Sequence, residues 1–380
     1  MRVFLLSRGY PTSTDPAWGC FERDHALVLK QKGHEVVVFS VDKRFRVGGH
    51  WGISHEVADD INIYDCRLFP SRLLLFLSPR LLVFLYSFFC LWTFRKAVKD
   101  NGLPDVIFSH YLANTVILKR VKKKYGIPIL AMEHWSMVMT ENRPRYVDIF
   151  AKSGYILADK IISVSNALHN RLLELYNVDS IVINNIISPE FNDTSWREHD
   201  GFTFISIGRI VEGKGYDTLI HAFAKSGLIT SNVQLTIIGE DGGEKSKLEL
   251  LVQSLGLTEY VHFVGGKTKT EIAHLLSNSD AFVLASRSET FGVVYIEAML
   301  FGLPVIGTRC GGPEEIITNQ NGVLVNVDDI NQLSDALVSM YHDINKYDRE
   351  SISKECSTKY SADVIYEKVV RCMYDIINKS

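Results

Sequence analysis

The sequence contains few of the residue patterns that bind metal ions. No D-x-D triplet occurs among its 380 residues, and the twelve histidines show neither H-x-H nor H-x3-H spacing. Six cysteines form no C-x2-C pair and no regular spacing, so neither a zinc cluster nor a disulfide framework is predicted. We therefore predict that the protein uses no metal ion and no other cofactor.

A strong net charge and a long apolar leader are also missing. The net charge is -3, which gives no reason to expect nucleic acid as a partner. The opening MRVFLLSRGYP has a run of only four apolar residues before Ser7, too few for the core of a signal peptide. We expect a cytoplasmic protein whose cysteines stay reduced.

The length and the order of apolar runs predict a two-domain α/β protein. A chain of 380 residues is too long for one ordinary core. Apolar runs alternate with helical patterns, as in a doubly wound sheet. The predicted strands are 2–7, 35–41, 61–66, 105–111, 128–134, 160–166, 202–208, 233–239, 261–265, 281–286, 304–308 and 322–326. The predicted N-terminal helices are about 19–32, 80–100, 114–125, 144–157 and 166–176, and the polar stretch 192–201 is the best linker candidate.

Two glutamates in the run SETFGVVYIEAMLFGLPVIGT suggest the chemistry. Glu289 follows the strand 281–286, and Glu297 lies on a helix predicted from about Val293 to Phe301. The N-terminus of that helix suits an anion such as a phosphate, whereas carboxylates suit sugar hydroxyl groups. A sugar attached to a phosphate is the ligand that this combination favours. An isolated pair of such acids is equally explained by the helix dipole alone.

A second motif adds positive charge. The strand ending in Gly208 is followed by Arg209 and, after a short loop, by Lys214 and another glycine, giving G-R-x4-K-G. Two cations beside glycines would clamp a diphosphate, Arg209 bidentately and Lys214 as a point charge. Taken alone, both side chains could be solvated loop charges. Both motifs follow strand ends, where open parallel sheets bind ligands.

These motifs, together with IIGEDGG at 237–243 and the Gly-Gly-Pro-Glu-Glu run at 311–315, resemble the nucleotide-sugar half of glycosyltransferase family 4. The resemblance is close over about 202–327 and looser over the N-terminal half. It implies a GT-B fold, with two Rossmann-like domains facing across a cleft. The implied domains are 1–190 for the acceptor and 191–360 for the nucleotide sugar, with a final helix at 361–380 crossing back to the N-terminal domain.

The resemblance also implies roles for individual residues. Glu289 would hold hydroxyl groups of the transferred sugar, Glu297 the ribose, and Arg209 and Lys214 the departing diphosphate without a metal ion. Phe291 and Gly292 would supply backbone contacts. The remaining donor-site residues implied by the resemblance are Gly208, Gly239, Glu240, Thr290 and Val293.

Two histidines and a glycine are the N-terminal candidates. His110 and His134 each follow a predicted strand, and the Glu133-His134-Trp135 context resembles the segment that carries the active-site histidine of the family. We predict that His134 contacts the transferred sugar and that His110 lines the acceptor pocket. A lone histidine is more often a hydrogen-bonded structural residue. Gly19 fits the position where the family brings backbone N–H groups to a ligand, although a second glycine is absent.

The segment 73–91 is almost wholly apolar, apart from Ser78, Pro79 and Arg80. The proline and the charge argue against a membrane span. It is either a helix buried against the N-terminal sheet or an interfacial helix that enters the inner leaflet of the membrane, aided by the basic run KRVKKK at 119–124.

The sequence therefore predicts a retaining, metal-independent transferase that moves a hexose or N-acetylhexosamine from a nucleotide sugar, by family frequency a UDP-sugar. The acceptor would be a glycan or a polyprenyl-linked lipid, in the synthesis of a surface polysaccharide or glycolipid. The alternatives are a nucleotide-sugar 2-epimerase and a non-catalytic protein that binds nucleotide sugars.

Overall fold

The computed structural model describes residues 1–12, 15, 18–42, 51–68, 78–191 and 194–379. The chain divides into two compact units, Met1–Ile186 with Ala362–Ser380, and Ile187–Ser361. The first boundary lies upstream of the stretch 192–201 that the sequence suggests as a linker. Trp196 of that stretch donates its indole N–H to the carbonyl of Ser279, 2.8 Å away, so residues around it belong to the second unit.

The first unit is built on an eight-stranded sheet with the order β3-β4-β2-β1-β5-β6-β7-β8. Its strands are β1 (Arg2–Ser7), β2 (Glu35–Asp42), β3 (Gly52–Ala58), β4 (Ile61–Arg67), β5 (Val106–His110), β6 (Ile129–Glu133), β7 (Lys160–Ser163) and β8 (Ile181–Val182). Its α-helices are α1 (Cys20–Gln31), α2 (Pro79–Asn101), α3 (Leu112–Thr115), α4 (Lys119–Tyr125), α5 (Arg145–Tyr155), α6 (Asn166–Tyr176) and, at the end of the chain, α14 (Ala362–Ile377).

Most strands of this sheet are buried on both faces, which explains their continuous Val, Ile, Leu and Phe runs. The edge strands β3 and β8 are exceptions. β3 pairs antiparallel with β4 and its middle residues are exposed, and Ile181 of β8 is exposed as well. The sequence analysis missed β3, because its mixed polar and apolar pattern lacks the apolar run by which the other strands were recognised.

The second unit repeats the plan with a six-stranded parallel sheet of order β11-β10-β9-β12-β13-β14. Its strands are β9 (Phe202–Ile207), β10 (Val233–Ile238), β11 (Val261–Gly265), β12 (Ala281–Val283), β13 (Val305–Thr308) and β14 (Gly322–Val325). Its α-helices are α7 (Tyr216–Ser226), α8 (Lys245–Ser254), α9 (Lys269–Ser277), α10 (Val293–Leu300), α11 (Pro313–Ile316), α12 (Ile330–His342) and α13 (Arg349–Tyr360).

Each sheet has one point at which the strand order reverses. In the first unit the chain returns to the middle of the sheet between β1 and β5, and in the second between β9 and β12. Two neighbouring loops diverge at such a point and leave a crevice outside the carboxyl ends of the strands, where α/β proteins bind ligands. The predicted site residues follow these strands and their neighbours.

The described part of the apolar run, residues 78–91, lies at the start of helix α2, which has one face against the core and one face exposed. Within α2, Phe94 packs edge-on against Phe4 at 5.5 Å and Phe39 at 5.6 Å, so one face of the helix belongs to the core. The opposite face exposes large apolar side chains. The helix is long and apolar enough to cross a membrane by length and composition, but its buried face is committed to the sheet. Residues 73–77 of the run lie outside the described residues.

Candidate functional site

The carboxyl ends of β9 and β12 bring the two predicted motifs of the second unit together. Lys214 lies in the loop after β9, and Glu289 lies in the loop after β12. The Lys214 Nζ donates to Glu289 Oε1 at 2.5 Å, although the residues are 75 positions apart. The pairing arises because β9 and β12 are adjacent in the sheet.

The surroundings of Glu289 leave part of its carboxylate available. The residue is 8% exposed, and Oε1 also accepts a hydrogen bond from the Ser286 hydroxyl at 2.7 Å. No described residue donates to the second oxygen, Oε2. Glu289 is further fixed through its backbone, which pairs with Gly311 of the predicted Gly-Gly-Pro-Glu-Glu run. A held carboxylate with one unoccupied oxygen can accept hydrogen bonds from a hydroxyl group of a ligand.

Arg209 provides a second positive charge in this unit. Its side chain is exposed, and within the described ranges it forms no ion pair or side-chain hydrogen bond. Gly208 precedes it, and a Cβ at Gly208 would lie 3.2 Å from the Tyr216 hydroxyl oxygen, a tight contact, and 3.5 Å from the Lys214 side chain, an ordinary one.

Two other glycines of these loops allow close approach of one backbone segment to another. A Cβ at Gly239 would lie 2.0 Å from the Gly208 carbonyl oxygen. A Cβ at Gly215 would lie 2.0 Å from the Ala285 carbonyl oxygen, and Gly215 has a φ of +63°. The loops after β9, β10 and β12 are therefore packed directly on each other, which holds the site in place.

The N-terminal end of α10 lies beside this pair. The cap residue is Gly292, and the first N–H groups of an α-helix have no partner within the helix. Val293 begins the helix, and Thr290 is half-buried in the preceding loop. Phe291 buries its ring edge-on against Tyr360 at 5.7 Å, so only its backbone is available to a ligand. The half-positive helix end favours a negatively charged group.

Glu297 has a partner that the sequence analysis missed. Its side chain is 3% exposed and accepts a hydrogen bond from the ammonium group of Lys269, the first residue of α9. This contact occupies Oε1, and no described residue donates to Oε2. Lys269 holds Glu297 in position.

Glu240, at the end of β10, is half-buried and places its Cγ near Gly266.

The predicted histidines of the first unit form one buried cluster. His110 Nδ1 and His134 Nε2 are 3.0 Å apart, and the two rings stack with an interplanar angle of 9°. Phe21 stacks on His134 at 6.4 Å. A third histidine, His25 of α1, lies 5.1 Å from the His110 ring centroid and was not predicted. An isolated histidine in the middle of a helix gives no signal in sequence, so only the fold identifies it.

All three histidines are held neutral. Burial lowers the pKa values of His110 and His134 well below 6.5, and the neighbouring His25 adds to this effect in both. Burial lowers the pKa of His25 to about 4. At neutral pH, His134 therefore acts as a neutral hydrogen-bonding group. The cluster lies near the point where β1 and β5 diverge.

Arg8, in the loop between β1 and α1, forms a partly buried ion pair with Glu22 of α1 next to this cluster. Arg8 Nε donates to Glu22 Oε1 at 2.9 Å, and the Arg8 guanidinium lies 4.0 Å from the centroid of the Tyr111 ring. Tyr111 has φ 62° and ψ 120°, a strained backbone conformation beside His110.

Gly19 caps α1, and a Cβ there would lie 2.2 Å from the Gly9 carbonyl oxygen. This close approach requires glycine at position 19 whether or not a ligand binds there.

Glu133, which precedes His134, is buried, and its carboxylate is hydrogen-bonded to the backbone beside the histidine cluster. Its Oε1 accepts hydrogen bonds from the backbone N–H groups of His134 and Trp135, at 2.9 and 2.8 Å. Burial nevertheless raises the pKa of Glu133 to about 7. The folded protein therefore binds a proton at Glu133 that the unfolded chain has already lost between about pH 4.5 and 7.

We expect Glu133→Gln to flatten the pH dependence of stability. Because the pKa is raised in the folded state, deprotonation of Glu133 is easier in the unfolded chain. Glu133 therefore has no effect on the free energy of unfolding below pH 4.5, and it lowers that free energy progressively as the pH rises to 7. Between pH 5 and 8 the unaltered protein should lose about 3 kcal/mol more stability than the variant. Urea unfolding at each pH measures this difference. The matched control is Glu56→Gln on the exposed strand β3, which should leave the slope unchanged. Equal slopes for Glu133→Gln and the unaltered protein would show that Glu133 is already ionised at pH 5.

Among the described residues, no three His, Cys, Asp or Glu side chains lie together as a metal-binding group. In the second unit, positive charge at the candidate site comes from Lys214, Lys269, the exposed Arg209 and the N-terminus of α10. Burial raises the pKa of the nearby Cys310 thiol to about 12. The arrangement is suited to binding a ligand that carries both an anionic group and hydroxyl groups.

Solved structures share this fold. Sucrose-phosphate synthase from Thermosynechococcus elongatus superposes with a TM-score of 0.83 and 20% identity, covering 100% of both chains. The Anabaena protein HepE, in complex with UDP-glucose, gives a TM-score of 0.77 and 18% identity over 99% of this chain and 100% of that one. The fold is GT-B, as the sequence predicted.

Sequence comparisons give the family. Residues 23–191 match the model for Glycosyltransferase Family 4, and residues 189–355 match the model for Glycosyl transferases group 1. An uncharacterized glycosyltransferase from Methanocaldococcus jannaschii is 32% identical, with 97% of each chain covered. The N-acetyl-alpha-D-glucosaminyl L-malate synthase of Bacillus anthracis is 27% identical, over 92% of this chain and 91% of that protein. The chain belongs to glycosyltransferase family 4.

Proposed function

We propose that this glycosyltransferase moves a hexose or N-acetylhexosamine from a UDP-sugar to a hydroxyl group of a glycan or lipid-linked acceptor, with retention of the anomeric configuration and without a metal ion. The observation that carries the proposal is the Lys214 and Glu289 pair at the reversal point of the second sheet, where no described residue donates to Glu289 Oε2. HepE, which shares the fold, has been solved with UDP-glucose, and this supports a UDP-sugar as the donor.

The proposed donor position assigns a task to each part of the site. Arg209, Lys214 and the N-terminus of α10 bind the diphosphate, where negative charge grows as the bond from the sugar C1 to the phosphate oxygen breaks. Glu289 Oε2 accepts a hydrogen bond from a sugar hydroxyl, and Glu297 Oε2 accepts from the ribose. Fixed positive groups that face a departing anion lower the barrier to its departure.

The proposed transfer is a substitution at C1 on the face from which the diphosphate leaves. The acceptor oxygen forms the new bond to C1, the diphosphate takes the electron pair of the broken bond, and the acceptor proton passes to a phosphate oxygen. The first unit binds the acceptor in this proposal. His134, being neutral, positions hydroxyl groups by hydrogen bonding and does not add positive charge to the sugar.

The direct test combines the purified protein with a panel of UDP- and GDP-sugars, with and without glycan and polyprenyl-phosphate-sugar acceptors. We expect UDP release only when donor and acceptor are both present, unchanged by EDTA, and a product with the anomeric configuration of the donor by NMR. An epimerised nucleotide sugar formed without acceptor would make the chain an epimerase. Binding of a nucleotide sugar with no turnover on any acceptor would favour a non-catalytic role.

Replacing the exposed cation should weaken donor binding without changing stability. Arg209→Ala removes a charged hydrogen-bond donor worth about 1.5–3 kcal/mol, so the Kd for UDP should rise roughly tenfold to a hundredfold. Because Arg209 contacts no charged group of the described chain, the melting temperature without ligand should not move. Isothermal titration with UDP measures the effect, and Lys247→Ala, at an exposed position of α8, is the matched control. An unaltered Kd in Arg209→Ala would remove Arg209 from the donor site.

A further inference from the structure

The exposed face of α2 has the pattern of a membrane-binding surface. Leu81, Phe84, Phe88 and Trp92 are 47%, 58%, 53% and 50% exposed. Their spacing of three and four residues places them in one stripe along the helix. Aromatic and aliphatic side chains of this size are normally buried, so a continuous exposed stripe indicates a surface that another molecule covers.

The same face becomes basic towards the carboxyl end of the helix. Arg95 and Lys99 continue the spacing of the stripe, and Lys96 lies beside them; all three are exposed. The neighbouring helix α4 packs against α2 and has the sequence KRVKKKY. Together α2 and α4 contain nine lysines and arginines and one acidic residue, Asp100. Asp100 accepts a hydrogen bond from the Tyr64 hydroxyl and so is already engaged.

One cation lies within the apolar stripe itself. The Arg120 guanidinium is 4.4 Å from the centroid of the Phe84 ring, and it forms no ion pair within the described part of the chain. A second copy of this chain placed on the stripe would bring another Arg120 to the same area without an acidic partner. An anionic lipid surface instead offers phosphate groups to the cations and acyl chains to the apolar side chains.

We propose that the face of α2 formed by Leu81, Phe84, Phe88 and Trp92, with the basic residues of α2 and α4, binds the surface of an anionic lipid bilayer. The apolar stripe enters the boundary between headgroups and acyl chains, while Arg95, Lys99 and the exposed Lys123 and Lys124 of α4 contact lipid phosphates. Lys122 of α4 is paired with Asp159 and is not counted among them. The helix lies on the membrane and does not cross it, because its other face packs Phe94 against the sheet. This proposal concerns a surface distinct from the donor site and stands whether or not the proposed donor is correct.

The test is co-sedimentation of the full chain with vesicles of phosphatidylcholine alone or with roughly one third phosphatidylglycerol, whose anionic headgroups attract basic residues. We expect binding to the anionic vesicles that falls steeply with added salt, and at least tenfold weaker binding to the neutral ones. Phe84→Ser/Phe88→Ser should lower the partition coefficient at least tenfold. Lys123→Glu/Lys124→Glu should do the same for anionic vesicles only.

The matched control is Leu250→Ser on α8, another exposed leucine, which should leave vesicle binding unchanged. Thermal stabilisation by UDP in each variant separates this proposal from the proposed function, since the stripe variants should keep it. Equal binding of Phe84→Ser/Phe88→Ser and the unaltered chain would overturn the proposal. So would a concentration-dependent dimer that the same substitutions dissociate, with no vesicle binding by either protein.

Discussion

Lys214→Ala is expected to lower kcat about a hundredfold to a thousandfold. Lys214 is the positive group that the fold holds against Glu289, at 2.5 Å, and in the proposed mechanism it also faces the departing diphosphate. Loss of one preorganised donor to a developing negative charge commonly costs about 3–4 kcal/mol. Steady-state kinetics with saturating UDP-sugar and acceptor measure the effect.

The Lys214 and Glu289 side chains should act as a unit. Glu289→Ala alone should reduce kcat by a similar factor, because the sugar hydroxyl loses its acceptor and Lys214 loses the group that positions it. The double variant should be far less impaired than the product of the two single losses. Circular dichroism should show that all three variants remain folded. If either single variant transfers sugar at the unaltered rate, the role proposed for that residue is wrong.

The second large effect is expected on stability at Gly215. A Cβ at this position would lie 2.0 Å from the Ala285 carbonyl oxygen, a backbone atom that cannot turn away, and φ is +63°. Gly215→Ala should therefore destabilise the second unit by about 3 kcal/mol, combining backbone strain with the displaced contact. For a unit of this size the melting temperature should fall by roughly 6–12 °C.

Gly213→Ala is the matched control for this prediction. Gly213 lies two positions away in the same loop, where a Cβ meets nothing within 4 Å and φ is not positive. It should change the melting temperature by no more than about 2 °C, in the range usual for surface substitutions. Equal melting temperatures for the two variants would show that the loops after β9 and β12 separate at no cost. The glycine of G-R-x4-K-G would then not be required for packing.

The sequence motifs placed Lys214 and Glu289 after strands of the same domain, but they did not predict that the two side chains form an ion pair. Each follows a strand whose apolar run is plain in the sequence, and the ends of parallel strands share one edge of a sheet. The direct ion pair depends on β9 lying beside β12. Strand order is set by packing across the whole unit and leaves no local pattern, which is why Lys269 as the partner of Glu297 was missed as well.

The sequence by itself determined most of the elements, the two-domain α/β plan and the family motifs, because apolar periodicity and turn residues act over a few neighbouring positions. Only the tertiary structure decided which distant residues meet: His25 with His110, and Lys214 with Glu289. It also decided that α2 is buried on one side and exposed on the other. The apolar residues around that helix form an almost unbroken run, so their pattern could not distinguish the two faces. Burial of one face is set by the sheet beneath it.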